Sequence, residues 1–236
     1  MNYILFDGEA RDALLPFTYT RPVADIRIGI LTIREKWERQ LGLTTTTITA
    51  EYLEDKYPMV EMLENVLINA SFLPTKQLVE WVKALSKNQA IFKGEEVVAF
   101  CTIEMREEVN FDHYDQIEFE EELLKVDNTW DIFSLNDKAI QADFELLTDG
   151  RKSQPIPETV QWANKENIFI EEGAEISFSI LNASTGPIYI GKDALIMEGS
   201  IVRGSFAMCE NAVLKVGAKV YGATTLGPLC KVGGEV

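Results

Sequence analysis

The most regular pattern in this chain is a row of aliphatic residues that recur at every sixth position in its second half. The row consists of Ile190, Ile196, Val202, Met208, Leu214, Val220, Leu226 and Val232. Small residues such as Ala194 and Ala212 stand two positions before most of them, and Phe206 is the bulky exception. A period of six matches neither the helical period of about 3.6 nor the simple alternation of a strand. It predicts a coil of short parallel strands whose aliphatic side chains stack in the interior.

The sixfold spacing changes phase once along the chain. Ile170 and Ile176 have the same spacing but are out of step with the row that begins at Ile190. An inserted or irregular loop is therefore expected at residues 184–187. Ten of the 15 glycines lie in residues 173–234, where the corners of such a coil require tight backbone.

The first half alternates short apolar runs with amphipathic segments. The apolar runs predict strands over Asn2–Phe6, Asn65–Asn69 and Glu96–Cys101. Amphipathic spacing predicts helices over Ile30–Leu41 and Thr75–Leu85. This alternation indicates a mostly parallel sheet covered by helices.

The distribution of charge also differs between the first and the second half of the chain. The net charge is −16, of which residues 1–150 carry −15, and the acid-rich residues 104–128 have no clear periodicity. Turn-forming residues and prolines then follow the first half, as in a linker. We therefore predict a domain at 1–150, a linker at 151–164 and a second domain at 165–236.

Composition excludes several classes of protein. Strong acidity argues against binding to nucleic acid or to an anionic membrane surface. No apolar run approaches the roughly 20 residues that span a bilayer, and the N-terminus does not resemble a signal peptide. Three widely spaced cysteines and a single histidine, His113, fit neither a disulfide framework nor a zinc site. The chain is predicted to be cytoplasmic, without a nucleic-acid partner or membrane insertion.

Candidate chemistry lies in the segment after the first strand. Arg11, Arg21 and Arg27 flank this segment, and the first 40 residues are neutral although the rest of the first half is acidic. The planar fork of arginine suits phosphate, and ligands of open α/β sheets bind beyond the carboxyl ends of strands. The alternative is that these arginines pair with carboxylates such as Asp7 and Asp25 as surface structure. Composition leaves both interpretations open.

The same segment resembles a known family. Residues 15–18 (Leu-Pro-Phe-Thr), followed by Arg21 and Pro22, are similar to a signature of the sugar-1-phosphate nucleotidyltransferases. Together with the hexad, they resemble the bifunctional N-acetylglucosamine-1-phosphate uridylyltransferase/glucosamine-1-phosphate acetyltransferase family. This resemblance implies a Rossmann-like α/β nucleotidyltransferase-like domain, followed by a left-handed parallel β-helix of hexapeptide repeats.

The resemblance also implies roles for particular residues. Arg11 and Arg21 would act on substrate phosphates as catalytic residues. Gly8, Arg27 and Asn69 would contribute to nucleotide binding. Asn136 would bind Mg²⁺, as the first asparagine of a family segment that residues 135–141 resemble.

Two positions depart from the family pattern. Val23 stands where the family has a lysine that contacts the phosphate-bearing substrate, and Ser71 stands where it has a magnesium-binding aspartate. Serine is a poor ligand for a hard cation. Asp7 or Asp137 is a candidate replacement for the missing carboxylate.

The function implied is transfer of a nucleotide from a nucleoside triphosphate to a hexosamine-1-phosphate, with Mg²⁺ and release of pyrophosphate. A second interpretation is a hexapeptide acetyltransferase that uses acetyl-CoA, with a non-catalytic sugar-nucleotide-binding N-terminal domain. A third is a non-catalytic binding or assembly module. Residues 151–236 contain no histidine to serve as the acetyltransferase base, so no acetyl transfer is expected from these residues alone.

Two expectations concern assembly. The hexad runs to Val232 without a capping segment, which predicts that the natural protein is longer than this chain. The resemblance implies a homotrimer through the β-helix for the full-length protein.

Overall fold

A computed structural model describes residues 1–103 and 109–234. They form two compact units: Met1–Ile26 with the chain from Thr32 to Asp131, and Arg27–Leu31 with the chain from Ile132 onward. The first unit thus ends before residue 150, where the sequence predicts a domain boundary. The predicted linker, 151–164, lies within the second unit because it contributes a strand, Gln161–Ala163, to one of its sheets.

The first unit is built on a six-stranded sheet. Its strands are β1 (Asn2–Phe6), β2 (Thr46–Ile48), β3 (Asn65–Asn69), β4 (Gln89–Lys93), β5 (Glu96–Thr102) and β6 (Asp115–Glu118). Their order is β2-β1-β3-β5-β4-β6, and β5 is antiparallel to both neighbours while the other pairs are parallel. Five of the six strands therefore run in the same direction, which confirms the predicted mostly parallel sheet, and β5 alone makes this sheet mixed. The reversal of β5 follows from the tight turn between β4 and β5, where Gly94 has a φ of 63°.

Five helices accompany the strands in the described residues. They are α1 (Ala10–Ala13), α2 (Ile33–Leu41), α3 (Lys76–Ala84), α4 (Asp131–Ser134) and α5 (Asn136–Thr148). Helix α2 begins later than predicted because Thr32 caps it: its hydroxyl accepts from the Glu35 N–H, and the Glu35 carboxylate accepts from the Thr32 N–H. None of the helices described has the length and apolar character needed to cross a membrane.

The second unit contains three four-stranded parallel sheets. Its strands are β7 (Gln161–Ala163), β8 (Ile168–Ile170), β9 (Glu175–Ile176), β10 (Ile180–Asn182), β11 (Ile188–Ile190), β12 (Leu195–Ile196), β13 (Ile201–Arg203), β14 (Phe206–Met208), β15 (Val213–Leu214), β16 (Lys219–Val220), β17 (Thr224–Leu226) and β18 (Lys231–Val232). Every third strand joins the same sheet, so each coil adds one strand to each of three faces. This is the architecture of a parallel β-helix, as the hexad predicts.

The hexad residues form the interior of this β-helix. Ile190, Ile196, Val202, Met208 and Leu214 are completely buried. One hexad corresponds to one face of the coil, and burial of the aliphatic row supplies the hydrophobic driving force for stacking.

The predicted irregular loop is also confirmed. From β11 to β14, Ile188 pairs with Phe206, which keeps the regular spacing of three hexads. From β8 to β11, Ile168 pairs with Ile188, which is two residues longer. The extra residues fall between β10 and β11, in the segment that contains residues 184–187.

Helix α5 packs against the outside of one β-helix sheet. Its buried Ile140 and Leu147 join Phe169 and Tyr189, which point outward from β8 and β11, in one apolar cluster. The rings of Phe169 and Tyr189 stack with centroids 6.0 Å apart. This face of the β-helix is therefore buried within its own unit.

A polar group borders this cluster. The Tyr189 hydroxyl donates to Glu171 Oε1 at 2.6 Å, and Arg151 Nη2 lies 2.6 Å from Glu171 Oε2. Burial and the hydrogen bond to the Glu171 carboxylate raise the pKa of Tyr189 well above its usual value. The neutral phenol is the form that this site stabilises.

The raised pKa of Tyr189 predicts that the folded protein loses stability at alkaline pH. Below pH 10 both the folded and the unfolded chain hold the phenol proton, and the stabilisation is fully present. As the pH rises above 10, the unfolded chain ionises first, so the free energy of unfolding should fall. In urea unfolding measured at neutral pH and above pH 10, Tyr189→Phe should reduce this fall. The exposed control Tyr221→Phe should leave it unchanged, and an identical pH dependence in Tyr189→Phe and wild type would contradict the assignment.

Candidate functional site

The candidate site lies beyond the carboxyl ends of β1 and β3. These two strands are parallel neighbours in the sheet. The strand order β2-β1-β3 places β2 on one side of β1 and β3 on the other, so the strand order reverses at β1. Ligands of open α/β sheets bind at such a switch point. Asp7 and Gly8 follow β1, Ser71 follows β3, and the Ala70 N–H donates to the Phe6 carbonyl at 2.8 Å.

The structure brings two of the predicted nucleotide-binding residues together. Gly8 has a φ of 58°, and a Cβ there would lie 3.2 Å from Asn69 Oδ1, so the backbone of the loop passes close to the end of β3. Asn69 Oδ1 accepts from the Ser71 N–H at 3.1 Å and from the Ser71 hydroxyl at 2.8 Å. The Asn69 amide thus orders the turn after β3.

Arg11 is almost fully engaged by its own unit. Its Nη1 donates to Asp7 Oδ2 at 2.6 Å and to Thr49 Oγ1 at 3.0 Å. Its Nη2 donates to the Thr18 carbonyl at 2.7 Å and to the Tyr52 hydroxyl at 2.8 Å. These bonds tie β1, the loop after α1 and the segment after β2 to one guanidinium.

Asp7 is the buried centre of this network. It is 5% exposed, and its Oδ2 accepts from Arg11 and from the Thr49 hydroxyl, at 2.6 Å each. Its Oδ1 accepts from the Val23 N–H at 2.7 Å. Both carboxylate oxygens therefore have partners, as a buried charge requires. The Arg11–Asp7 pair agrees with the alternative that composition left open, in which these arginines pair with nearby carboxylates.

Arg21 differs from Arg11 in its surroundings. It is exposed, and among residues 1–103 and 109–234 no hydrogen bond or ion pair to it is found. It follows the 3₁₀ turn Phe17–Tyr19, whose Thr18 is bound to Arg11. A guanidinium without an internal partner retains all its donors for an anion.

The other two predicted residues belong to the second unit. Arg27 Nη1 donates to the Ile30 carbonyl and lies 3.8 Å from Cys209 Sγ. Asn136 is 7% exposed, accepts from the Gly29 N–H at 2.8 Å and donates to the Ala223 carbonyl at 3.2 Å. Both side chains organise segments of their own unit.

Sequence reasoning missed an ionic cluster of the first unit. Lys125 Nζ lies 2.5 Å from Glu96 Oε1 and 2.6 Å from Asp127 Oδ1. Phe72, just after β3, forms a bridge with Lys125 and places its ring 5.4 Å from Nζ. Burial lowers the pKa of Lys125, but hydrogen bonds and charge from Asp127 and Glu96 outweigh it and raise the pKa above its usual value. Lys125 lies in the aperiodic acid-rich stretch, where no sequence pattern indicated it.

Most of the first 152 residues match one family model. The model describes a sugar nucleotidyl transferase and matches residues 3–152, more than half of the chain. The chain belongs to the sugar nucleotidyl transferase family. A search of curated proteins found no match.

The family match ends close to the domain boundary predicted at residue 150. It extends beyond the first compact unit and includes α5, which the structure places in the second unit. The β-helix strands lie outside the matched residues. The closer resemblance to the bifunctional uridylyltransferase/acetyltransferase family stays a prediction.

The residues proposed for Mg²⁺ do not form a metal site, because their oxygens already accept hydrogen bonds within the protein. The oxygens of Asp7 accept from Val23, Arg11 and Thr49, and Asn136 Oδ1 accepts from the Gly29 N–H. Within the described parts of the chain, no group of three His, Cys, Asp or Glu side chains is placed to hold a metal. Asp137, the other candidate carboxylate, accepts from Ser205 at 2.5 Å and from Gln141 at 3.0 Å.

Proposed function

We propose that this chain is a sugar-1-phosphate nucleotidyltransferase, acting on a nucleoside triphosphate and a hexosamine-1-phosphate. The observation that carries the proposal is the family match over residues 3–152. In this reaction an oxygen of the sugar phosphate attacks the α-phosphorus of the triphosphate. The bond from that phosphorus to the bridging oxygen breaks, and pyrophosphate leaves with the electron pair. The products are a nucleoside diphosphate sugar and pyrophosphate.

The two arginines have different parts in this proposal. Phosphoryl transfer depends mainly on positioning and on stabilisation of charge. Arg21, which is exposed and has no partner among residues 1–103 and 109–234, binds a substrate phosphate. Arg11 already bonds Asp7, Thr49, Thr18 and Tyr52, so it holds the loop that presents Arg21. Mg²⁺ accompanies the triphosphate as part of the substrate and neutralises its charge.

Pyrophosphate release tests this proposal. With a nucleoside triphosphate, Mg²⁺ and glucosamine-1-phosphate or its N-acetyl form, wild type should release pyrophosphate. Arg21→Ala should lower kcat/KM at least about tenfold, because charge-assisted hydrogen bonds contribute about 1.5–3 kcal/mol. Arg39→Ala, an exposed change on α2, should have little effect. Equal kcat/KM in wild type and Arg21→Ala would remove Arg21 from the site, and no pyrophosphate with any pair of substrates would refute the function.

Acetyl transfer is the second candidate function. Three stacked parallel sheets with a hexad core favour it, since the resemblance implies an acetyl-CoA site on such a β-helix. In this alternative the N-terminal domain binds a sugar nucleotide without turnover, and a homotrimer completes the acetyl-CoA site. Thermal unfolding of the full-length protein separates the two candidates, since acetyl-CoA should raise Tm only if the second is correct.

A further inference from the structure

Three aromatic side chains near Arg11 and Arg21 are left open to solvent. Phe17 is 50% exposed, Tyr19 is 59% exposed and Tyr52 is 64% exposed. Large aromatic rings on a soluble protein are usually at least partly covered, and exposed groups of them mark binding surfaces. We call these three rings the aromatic platform.

The backbone beneath Phe17 and Tyr19 is fixed. Thr18, between them, is completely buried, and its hydroxyl donates to the Arg11 carbonyl at 2.7 Å. The Phe17 N–H donates to the Leu14 carbonyl, and the Tyr19 N–H donates to the Pro16 carbonyl. Because Thr18 is anchored from both its hydroxyl and its carbonyl, its two aromatic neighbours are presented outward on a rigid turn.

Tyr52 joins the same group through Arg11. Its hydroxyl accepts from Arg11 Nη2, the nitrogen that also donates to the Thr18 carbonyl. The Arg11 guanidinium carbon lies 5.7 Å from the centre of the Tyr52 ring, within the range of a cation–π contact. Arg11 therefore places Tyr52 beside the turn that carries Phe17 and Tyr19.

The charge beside the platform selects an anionic ligand. Arg21 stands two residues after Tyr19, exposed and without a partner in the described residues, while residues 1–150 carry a net charge of −15. A ligand that combines a flat ring with phosphates would satisfy both the rings and the guanidinium. A second copy of this chain would bring another charge of −16, so docking of a second copy on these three rings is electrostatically disfavoured.

We propose that Phe17, Tyr19 and Tyr52 form a stacking surface for the base of a nucleotide whose phosphates bind Arg21. This proposal rests on the nucleotidyltransferase function and assigns the base to a particular surface. Stacking on aromatic side chains accepts any base, because every base has a π face. The platform therefore contributes affinity for the base and little choice among bases.

Calorimetric titration with two probes tests the platform. The probes are UTP and inorganic tripolyphosphate, each with Mg²⁺; the second has the phosphates without a base. Wild type should bind UTP more tightly than tripolyphosphate. Phe17→Ala with Tyr19→Ala should weaken UTP binding at least about fivefold and leave tripolyphosphate binding unchanged. Arg21→Ala should weaken both.

Two further variants serve as controls. Leu63→Ala removes an apolar side chain that is 91% exposed just before β3, at the opposite end of the sheet, and should change neither affinity. Tyr52→Phe keeps the ring and should retain most UTP affinity, whereas Tyr52→Ala should lose it.

The possible outcomes distinguish a failure of the aromatic platform from a failure of the proposed nucleotidyltransferase function. UTP binding that depends on the rings, without pyrophosphate release, would support the platform and refute the proposed function. Pyrophosphate release with an unchanged KM for UTP in the Phe17→Ala, Tyr19→Ala variant would overturn the platform and leave the function standing. Equal affinity for UTP and tripolyphosphate in wild type, or no binding of either, would also overturn the platform. So would self-association of wild type that the double substitution abolishes, because the rings would then bind a second copy.

Discussion

Arg11→Ala is expected to lower the free energy of unfolding by about 3–5 kcal/mol, because it leaves the buried Asp7 carboxylate without its counter-ion. The side chains of Asp7 and Arg11 are only 6% and 14% exposed, so water cannot readily replace the lost partner. The Thr18 carbonyl and the Thr49 and Tyr52 hydroxyls lose a donor as well. Urea unfolding should show a lower midpoint with an unchanged m-value.

Arg21→Ala is the matched control for this prediction. The two arginines belong to the same segment, but Arg21 is exposed and has no partner in the described residues. Its replacement should change stability by no more than about 0.5 kcal/mol. A stability of Arg11→Ala equal to that of Arg21→Ala would show that the Asp7 network contributes nothing. Loss of activity in Arg11→Ala must be measured well below its unfolding midpoint, since unfolding alone would abolish turnover.

The strands of the first unit were predictable where burial gives a continuous apolar run. β1 and β3 have the predicted bounds, Asn2–Phe6 and Asn65–Asn69, because both lie in the centre of the sheet. β2, β4 and β6 were missed. They are short or lie towards the edges of the sheet, and their partly exposed residues give no clear pattern.

The start of helix α2 shows how a local hydrogen bond overrides periodicity. The apolar pattern predicts a helix from Ile30, but the Ile30 N–H donates to Asp143 Oδ2 at 2.7 Å, and the Leu31 N–H donates to the same oxygen at 3.0 Å. Thr32 then caps the helix from Ile33. The Asp143 contact joins residues far apart in the chain, so no local pattern could have indicated it.

The sequence indicates where the candidate site lies but not which partners its arginines have. The sequence located the loop after β1 and its arginines, since their residue types and position were sufficient for that inference. It could not distinguish Arg11 from Arg21, because the difference lies in partners such as Thr49 and Tyr52 that are distant along the chain.

Val23, which stands where the resembled family has a lysine, also has surroundings that the sequence could not indicate. Val23 is completely buried, and its N–H donates to Asp7 Oδ1. A lysine at this position would have to bury its stem and find a partner for its ammonium group. The backbone N–H of residue 23 is therefore part of the Asp7 network, and because the side chain there is buried, a lysine would require the surrounding residues to change as well.

Phe206, the exception in the hexad pattern, has a structural explanation in the β-helix. It pairs with Ile188 on the coil before and with Thr224 on the coil after. The two other corners of the coil carry small residues at the equivalent position, Ser200 before Phe206 and Ala212 after it. The bulky residue thus fills the interior at one corner, where Ile188 is also completely buried.

Phe206→Ala should therefore produce one of the largest losses of stability in the chain. Phe206 is completely buried, and removing such a ring typically costs about 3–5 kcal/mol. Each coil of a solenoid contacts only its neighbours, so the loss should be concentrated in β11, β14 and β17. Hydrogen exchange measured on the full chain should show faster exchange of these strands, while β1 and β3 keep their wild-type rates.

Phe178→Ala provides the control of the same chemical type, because Phe178 is 66% exposed on a turn of the β-helix. Its exchange rates and urea midpoint should remain close to those of wild type. If both substitutions had the same small effect, the interior at Phe206 would not be packed as described. If Phe206→Ala instead accelerated exchange equally in every strand, the β-helix would not unfold as a stack of nearest-neighbour coils. Faster exchange confined to the coils that contact Phe206 is the result that the hexad architecture requires.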